Sequence, residues 1–474
     1  MSSRLHTRRD LLAAAARAGT ALLVLPASAC RSRPIAARRP RPNGQIHVAQ
    51  IGCGRMGRVD MGAVLALPLA RVVAVCDLDS RRLDAGRTLA EDFYRKRGES
   101  GVAVRAFRDH RELLAQDDVD AVVVSVPDHG HARVAVDSAI AGKHLYVQKP
   151  LTYDVAEAIA LRRVVRATGV VLQTGSQQRS LEPWPAFRIA AEAVRNGRIG
   201  RVKTVRIGLG TDAPSGRKPA PMVVPPNLDY ELWLGPAPEQ PYMEGRVHPQ
   251  DSLDGRPGWI TTEFFGLGMI TNWGSHHVDI AQWALGHELG GPLAVEARAE
   301  FMRDDLWTVH RTYHVELEYP GDVRVVLDDQ FEVGLQFDGD EGSLFCTRGS
   351  APATTNDPNA PPSVPDDALR TSDLRLLAPL ADGATRLQPS RNHYQNWLEA
   401  IRDGRDPVAP IDQAARSLET CYLAWMAMKL GRKLRWDAAR ERFLGDDAAN
   451  ALLSRLPRSA EHDLGLVLKK AGLA

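Results

Sequence analysis

Five cysteines among 474 residues are too few for a disulfide scaffold. Long apolar runs are missing as well. The Ala- and Leu-rich stretch from Leu11 to Ala29 is broken by Arg17 and is too short for a permanent membrane span, which needs roughly 20 apolar residues. Neither sign of charge prevails, with 60 Lys and Arg against 58 Asp and Glu, so nothing points to nucleic acid as a partner. The chain contains no G-x-S-x-G nucleophile elbow. His129, His131 and His276 match no common zinc spacing, so no metal is expected. What is present, 44% hydrophobic and 25% charged residues, suits a soluble globular chain of two or three domains and excludes a disordered, collagen-like or coiled-coil one.

The near balance of charge hides two unlike parts. Nine of the 60 basic residues but one of the 58 acidic ones fall in residues 1–42, so the remainder carries an acidic excess of six. Residues 1–29 read as an export signal, with a basic start, a mild apolar centre and an Ala27-Ser28-Ala29 cleavage site. Thr7-Arg8-Arg9-Asp10-Leu11-Leu12 resembles the twin-arginine export motif, which implies the twin-arginine translocation machinery as a partner and a periplasmic or exported location. Cys30 stands where a lipoprotein acceptor would, so a membrane anchor through it is left open. Residues 30–43, rich in Arg and Pro, read as a linker.

From residue 44 the pattern becomes regular. The apolar run Ile46–Ile51 leads into Gly52-Cys53-Gly54-Arg55-Met56-Gly57, a helical pattern follows, and a second strand, Val72 to Val75, ends at Cys76-Asp77. In this order the first glycine makes the tight turn, the second lets backbone approach a pyrophosphate, and the third packs helix against strand; the acid takes ribose hydroxyls. The six residues Gly52, Gly54, Arg55, Met56, Gly57 and Asp77 are therefore expected to hold a dinucleotide. Asp77 would repel a 2′-phosphate, which favours NAD over NADP, while neighbouring Arg81 and Arg82 temper that preference. Ser80 is expected to cap a helix running to about Lys96. The run Val119–Val126, apolar except for Asp120 and Ser125, reads as a strand buried on both faces, ending in Pro127-Asp128-His129-Gly130-His131; Leu145-Tyr146-Val147 ends in Gln148-Lys149-Pro150. Ligands of open parallel sheets lie beyond such carboxyl ends, so Pro127, His129, His131 and Lys149 are expected beside the cofactor. The fold expected is a doubly wound parallel α/β Rossmann domain over residues 44–171.

Several stretches together resemble the Gfo/Idh/MocA oxidoreductase family: Gly52–Gly57 with Asp77, Val126 to Ala132, Gln148-Lys149-Pro150-Leu151-Thr152, and Asn272-Trp273-Gly274-Ser275-His276-His277-Val278-Asp279. Asp229 to Pro236, Arg256-Pro257-Gly258-Trp259 and the region from Leu434 to Leu453 look like its exported subgroup with twin-arginine signals. The resemblance implies a C-terminal α+β domain with an open, mostly antiparallel sheet that often forms the contact of a dimer or tetramer. It also implies catalytic roles for Lys149 and His276. Two carboxylates of the family pattern are absent: Gln148 precedes the lysine and Asn272 precedes the histidine by four residues.

Residues 172–434 carry alternating or β-branched runs (Arg201 to Ile207, Ala294 to Phe301, Tyr313 to Leu317, Val323 to Leu327), as an antiparallel sheet with one solvated face requires, with helices expected near 185–197, 276–286, 391–403 and 411–430. Residues 435–474 read as a C-terminal tail. Of Trp184, Trp233, Trp259, Trp273, Trp283 and Trp307, one or two are expected to line a pocket. Tyr230, Asn272, Trp273 and His277 complete the candidate substrate set, with at most one of His276 and His277 reaching a given atom, since neighbours on a helix diverge by about 100°.

Three functions fit these residues. The first is hydride transfer between a sugar or polyol carbon and tightly held NAD, with His276 as the base near pH 6.5 and Lys149 sharing the role. The second is a redox-neutral glycosidase that oxidises a ring hydroxyl transiently, although the Tyr-Pro-Thr-His run of the family's glycosidases is absent. The third is a binding protein that keeps NAD for stability.

Overall fold

A computed structural model describes residues 44–350 and 367–473. The export signal, cleavage site, Cys30 and linker therefore lie outside the described residues.

The first sheet has six strands: β1 (Ile46–Ile51), β2 (Ala70–Cys76), β3 (Arg105–Phe107), β4 (Ala121–Val124), β5 (His144–Val147) and β6 (Leu172–Thr174). All neighbours run parallel in the order β3-β2-β1-β4-β5-β6, the doubly wound arrangement of a Rossmann domain. Every residue of β4 and β5 is buried, which explains the apolar character of Ala121–Val124 and of Leu145-Tyr146-Val147; His144 opens β5 as its one polar residue. The crossovers include α1 (Arg55–Leu65), α2 (Ser80–Lys96), α3 (His131–Ile140) and α4 (Val155–Thr168). Asp79, rather than Ser80, caps α2: its carboxylate accepts from the Arg81 amide, and Ser80 is already helical. Strand β6 lies just beyond residue 171 and still belongs to this sheet.

The second sheet has nine strands: β7 (Val202–Gly208), β8 (Ala294–Phe301), β9 (His310–Tyr319), β10 (Val323–Asp328), β11 (Gly334–Gly339), β12 (Ser343–Cys346), β13 (Leu369–Thr371), β14 (Leu434–Asp437) and β15 (Arg442–Phe443). Their order is β13-β12-β11-β7-β10-β9-β8-β14-β15, antiparallel except for the β7–β10 pair. One face buries Val205, Ile207, Val315, Leu317, Val325 and Leu335 against α5 (Pro185–Arg195), α6 (Gly274–Leu285) and α8 (Ile411–Leu430). The α+β class expected for this half is what the structure shows.

Two elements tie the halves together. Between α6 and α8, α7 (His393–Asp403) buries Tyr394, Trp397, Leu398 and Ile401 beneath the parallel sheet. Helix α8 places Ile411, Ala414, Ala415 and Leu418 in the core of the first sheet and Cys421, Leu423, Met426 and Ala427 in that of the second. The region after 435 is not a loose tail, because β14 pairs with β8, and α9 (Leu464–Lys470) sends Leu468 into the core of the first sheet.

Candidate active site

A cavity of about 460 Å³ opens at the carboxyl ends of β1, β2, β4 and β5, a usual size for a small-molecule site. Its floor is the glycine turn. Gly52 has φ +90°, and a Cβ there would lie 2.5 Å from the Ser125 carbonyl oxygen. A Cβ on Gly57 would fall 1.9 Å from the Gly52 oxygen, so this glycine is what lets α1 pack against β1. Gly54 differs: a Cβ there meets nothing within 4 Å. The N-cap of α1 is this glycine, which brings no side chain to its amides, so among the described residues the helix start is left open. That combination fits a pyrophosphate at a helix N-terminus. Exposed Arg55 and Met56 flank it on the cavity wall.

At the end of β2, Asp77 accepts from the amides of Cys53 (2.6 Å) and Asp79 (2.8 Å) and still lines the cavity. Its position suits ribose hydroxyls. Both arginines that follow are engaged elsewhere. Arg82 is buried against Asp79 at 2.8 Å and donates to the Pro249 carbonyl, and Arg81 donates to that of Gln250. Cys53 and Cys76 are buried thiols pushed up by burial, which suits packing rather than nucleophilic roles.

Pro127, His129 and His131 also line the cavity, but the two imidazoles are tied to protein carbonyls. His131 Nδ1 lies 2.6 Å from the Pro150 oxygen and Nε2 lies 2.9 Å from that of Val126, which joins the loops after β4 and β5. His129 Nε2 lies 2.8 Å from the Trp233 oxygen. Burial pushes both rings down, to about 3 for His129 and about 4 for His131, so they are neutral and positional.

Lys149, just past β5, donates to the Asn272 carbonyl at 3.2 Å. Burial pushes its ammonium down to about 8 against the pull of Asp128, and nearby Arg348 pushes in the same direction as burial. Asp128 is raised to about 7 by burial, with Lys149 opposing. The two form an acid–base pair near neutrality. Sequence reading passed over Asp128 although it lies within the Pro127–His131 turn.

The missing glutamate at 148 has a physical reason. Gln148 Nε2 donates to both oxygens of buried Asp60, at 2.9 and 3.0 Å, and its Oε1 accepts from the Lys149 amide at 3.2 Å. Asp60 also accepts from Tyr394 (2.6 Å) and Ser125 (2.7 Å). A glutamate at 148 would set a second carboxyl group against Asp60 in place of the two hydrogen bonds that the amide donates.

His276 lies near the start of α6 on the cavity wall, with Nδ1 buried and without a hydrogen-bond partner among the described residues. Burial, then Arg348 and Lys149, pushes it well below the usual histidine value. A lowered value favours the neutral imidazole and makes it less ready to take up a proton than the base titrating near 6.5 that the sequence suggested. Asn272 and Trp273 line the same wall.

Two candidates lie elsewhere. His277 is turned away from the cavity and packs against Phe187 and Trp273. Tyr230 is off the cavity wall, stacked on Trp233 with its hydroxyl 3.5 Å from the Pro241 carbonyl. The tryptophan expectation was too low, since Trp184, Trp233, Trp259 and Trp273 all line the cavity. Arg348 was also missed; nothing in Cys346-Thr347-Arg348-Gly349 sets it apart, and only tertiary packing brings it beside His276.

Residues 46–176 match the model of the oxidoreductase family with an NAD-binding Rossmann fold, and residues 214–373 match that family's C-terminal alpha/beta domain. Curated relatives include myo-inositol 2-dehydrogenase of Thermotoga maritima, 29% identical over 48% of this chain and 59% of the relative. Inositol 2-dehydrogenase of Rhizobium meliloti is 34% identical over 33% of this chain and 43% of the relative. These matches span less than two thirds of each relative. Solved folds agree over more of the chain. The WlbA dehydrogenase of Bordetella pertussis, in complex with NADH and UDP-GlcNAcA, has a TM-score of 0.57 at 18% identity, covering 83% of this chain and 99% of that one. The aldose-aldose oxidoreductase of Caulobacter crescentus, complexed with glycerol, has a TM-score of 0.57 at 19% identity, covering 83% of this chain and all of that one. With both halves matched by one family's models and the same two-sheet architecture in its solved neighbours, this chain belongs to the Gfo/Idh/MocA oxidoreductase family.

Proposed function

We propose that the protein transfers hydride between a hydroxyl-bearing carbon of a sugar or polyol and a tightly held NAD. The observation that carries this is the convergence of Lys149, Asp128 and neutral His276 on one cavity whose other end is the glycine turn and Asp77. Nicotinamide, when bound, supplies the hydride acceptor or donor. Neutral Lys149 takes the substrate hydroxyl proton, the carbon gives up hydride, and a carbonyl is left. The new ammonium rests against Asp128 and the Asn272 carbonyl, and His276 holds the hydroxyl in line. Indole faces on the wall suit the C–H face of a sugar. Asp77, with Arg81 and Arg82 engaged elsewhere, supports NAD over NADP.

The experiment is mass analysis of any cofactor released on denaturation, then a sugar and polyol screen by nicotinamide absorbance. Normal hydride transfer by both Lys149→Ala and His276→Ala proteins would sink the assignment. Catalytic aglycone release from an aryl glycoside without added NAD would favour the glycosidase reading instead, for which Tyr230 is badly placed. Twin-arginine export, with or without attachment at Cys30, belongs to the same proposal. An exported enzyme has to leave the cytoplasm with its NAD already bound, which calls for tight retention. Assembly into a dimer or tetramer through the open face of the nine-stranded sheet is proposed too, and light scattering tests it.

A further inference from the structure

The substrate end of the cleft is crowded with positive charge. Lys149, Arg256 and Arg348 all line it. Lys149 is balanced by Asp128, and Arg256 pairs with Asp212 at 2.8 Å. Arg348 has no carboxylate partner among the described residues. Its guanidinium is instead sandwiched between the rings of Trp184 (3.8 Å) and Trp273 (4.5 Å), which fix its plane. With the Gln178 amide turned to satisfy both of its ends, that side chain accepts from Arg348 Nε at 3.2 Å and donates to the His276 carbonyl at 3.1 Å. The two terminal nitrogens of Arg348 have no hydrogen-bond partner among the described residues and are not sealed from the cavity.

A partly buried cation without a counter-ion is costly unless something supplies one. Burial pushes the Arg348 guanidinium down to about 10, and no acid among the described residues is seen to pull it back. Arg348 also repels protons from Lys149 and His276. An anion held at its free edge would relieve all three strains at once. The planar fork of two N–H donors matches a carboxylate bidentately and takes a phosphate in the same way.

We propose that Arg348 is the anion seat of the substrate pocket, and that the sugar or polyol is an acidic one whose carboxylate or phosphate is clasped by the two terminal nitrogens of Arg348. The substrate class rests on the oxidoreductase reading, whereas the anion seat does not. Because Gln178 joins Arg348 to the His276 backbone, the anchored anion is held in fixed relation to the imidazole that orients the reacting hydroxyl.

The test uses the full-length protein and a panel of D-glucose, D-glucuronate, D-gluconate and D-glucose 6-phosphate with their galacto counterparts. Binding is read by quenching of tryptophan fluorescence and turnover by nicotinamide absorbance. Acidic members should bind about 30- to 100-fold more tightly than neutral ones, the worth of a charge-assisted pair in a sheltered site. Whether carboxylate or phosphate binds better identifies the anion. The preference should collapse in R348M and return in part in R348K. Equal binding of neutral and acidic sugars, absence of binding by every acidic member, or an undiminished preference in R348M would overturn the proposal. If R348M does not fold, the comparison within the native protein decides. Preferential binding of acidic sugars with no nicotinamide signal would defeat the oxidoreductase reading and leave the anion seat standing. Turnover of neutral sugars without preference would do the reverse.

Discussion

Lys149 carries the sharpest prediction at the scale of single residues. Its ammonium is pushed from the usual lysine range down to about 8, so it becomes a base as the pH rises through that value. Oxidation should therefore be slow at pH 6, where Lys149 is protonated, and rise to a plateau above about pH 9. Replacing Lys149 with Met should remove that limb and lower kcat by roughly 10²–10⁴-fold, as measured by steady-state kinetics across pH. Retention of the limb would move the base elsewhere. Lys149 and Asp77 were legible in the sequence because each sits at a strand end inside a local pattern. Asp60 and Arg348 were not, because no local pattern distinguishes them. Asp60 looks like any helical acid until Gln148 and Tyr394 are seen to close on it.

At the scale of elements, the glycine turn separates packing from binding. A methyl group on Gly57 would drive into the Gly52 carbonyl, so Gly57→Ala should cost about 1–3 kcal/mol of stability by overpacking and weaken NAD binding as α1 shifts. A methyl group on Gly54 meets open space, so Gly54→Ala should melt within a degree or two of the native protein yet bind NAD less well, on the order of tenfold. Thermal melts alongside NAD titration check the pair; equal damage to stability by both would contradict it. The central strands β1, β2, β4 and β5 of the first sheet and β7 to β10 of the second were readable from their apolar runs and alternation, and Ala294–Phe301 was bounded as observed, whereas short or edge strands such as β3, β6 and β13 were not. The joining of β14 to β8 escaped notice, because four residues ending in Trp436 and Asp437 give too short a run for periodicity to register.

At the scale of the whole molecule, α8 is the decisive element. Leu418 is buried with the first sheet and Leu423 with the second, five residues apart on one helix. The described body should accordingly unfold as one cooperative unit, with a single calorimetric transition, and Leu418→Ala should lower its stability by about 2–5 kcal/mol without splitting that transition. Two separated transitions would show that the sheets fold independently. The division at residue 171 was drawn from a change in sequence pattern, which cannot register that α7 returns over 200 residues later to cover the parallel sheet. A helix fastened in both cores resists a hinge-like parting of the two sheets. Exchange of a dinucleotide is then expected to go through the cavity mouth, where Arg55 and Met56 are exposed, rather than by opening of the cleft. Slow release of the cofactor on dilution is the outcome that the proposed tight retention predicts, and a stopped-flow displacement experiment checks it.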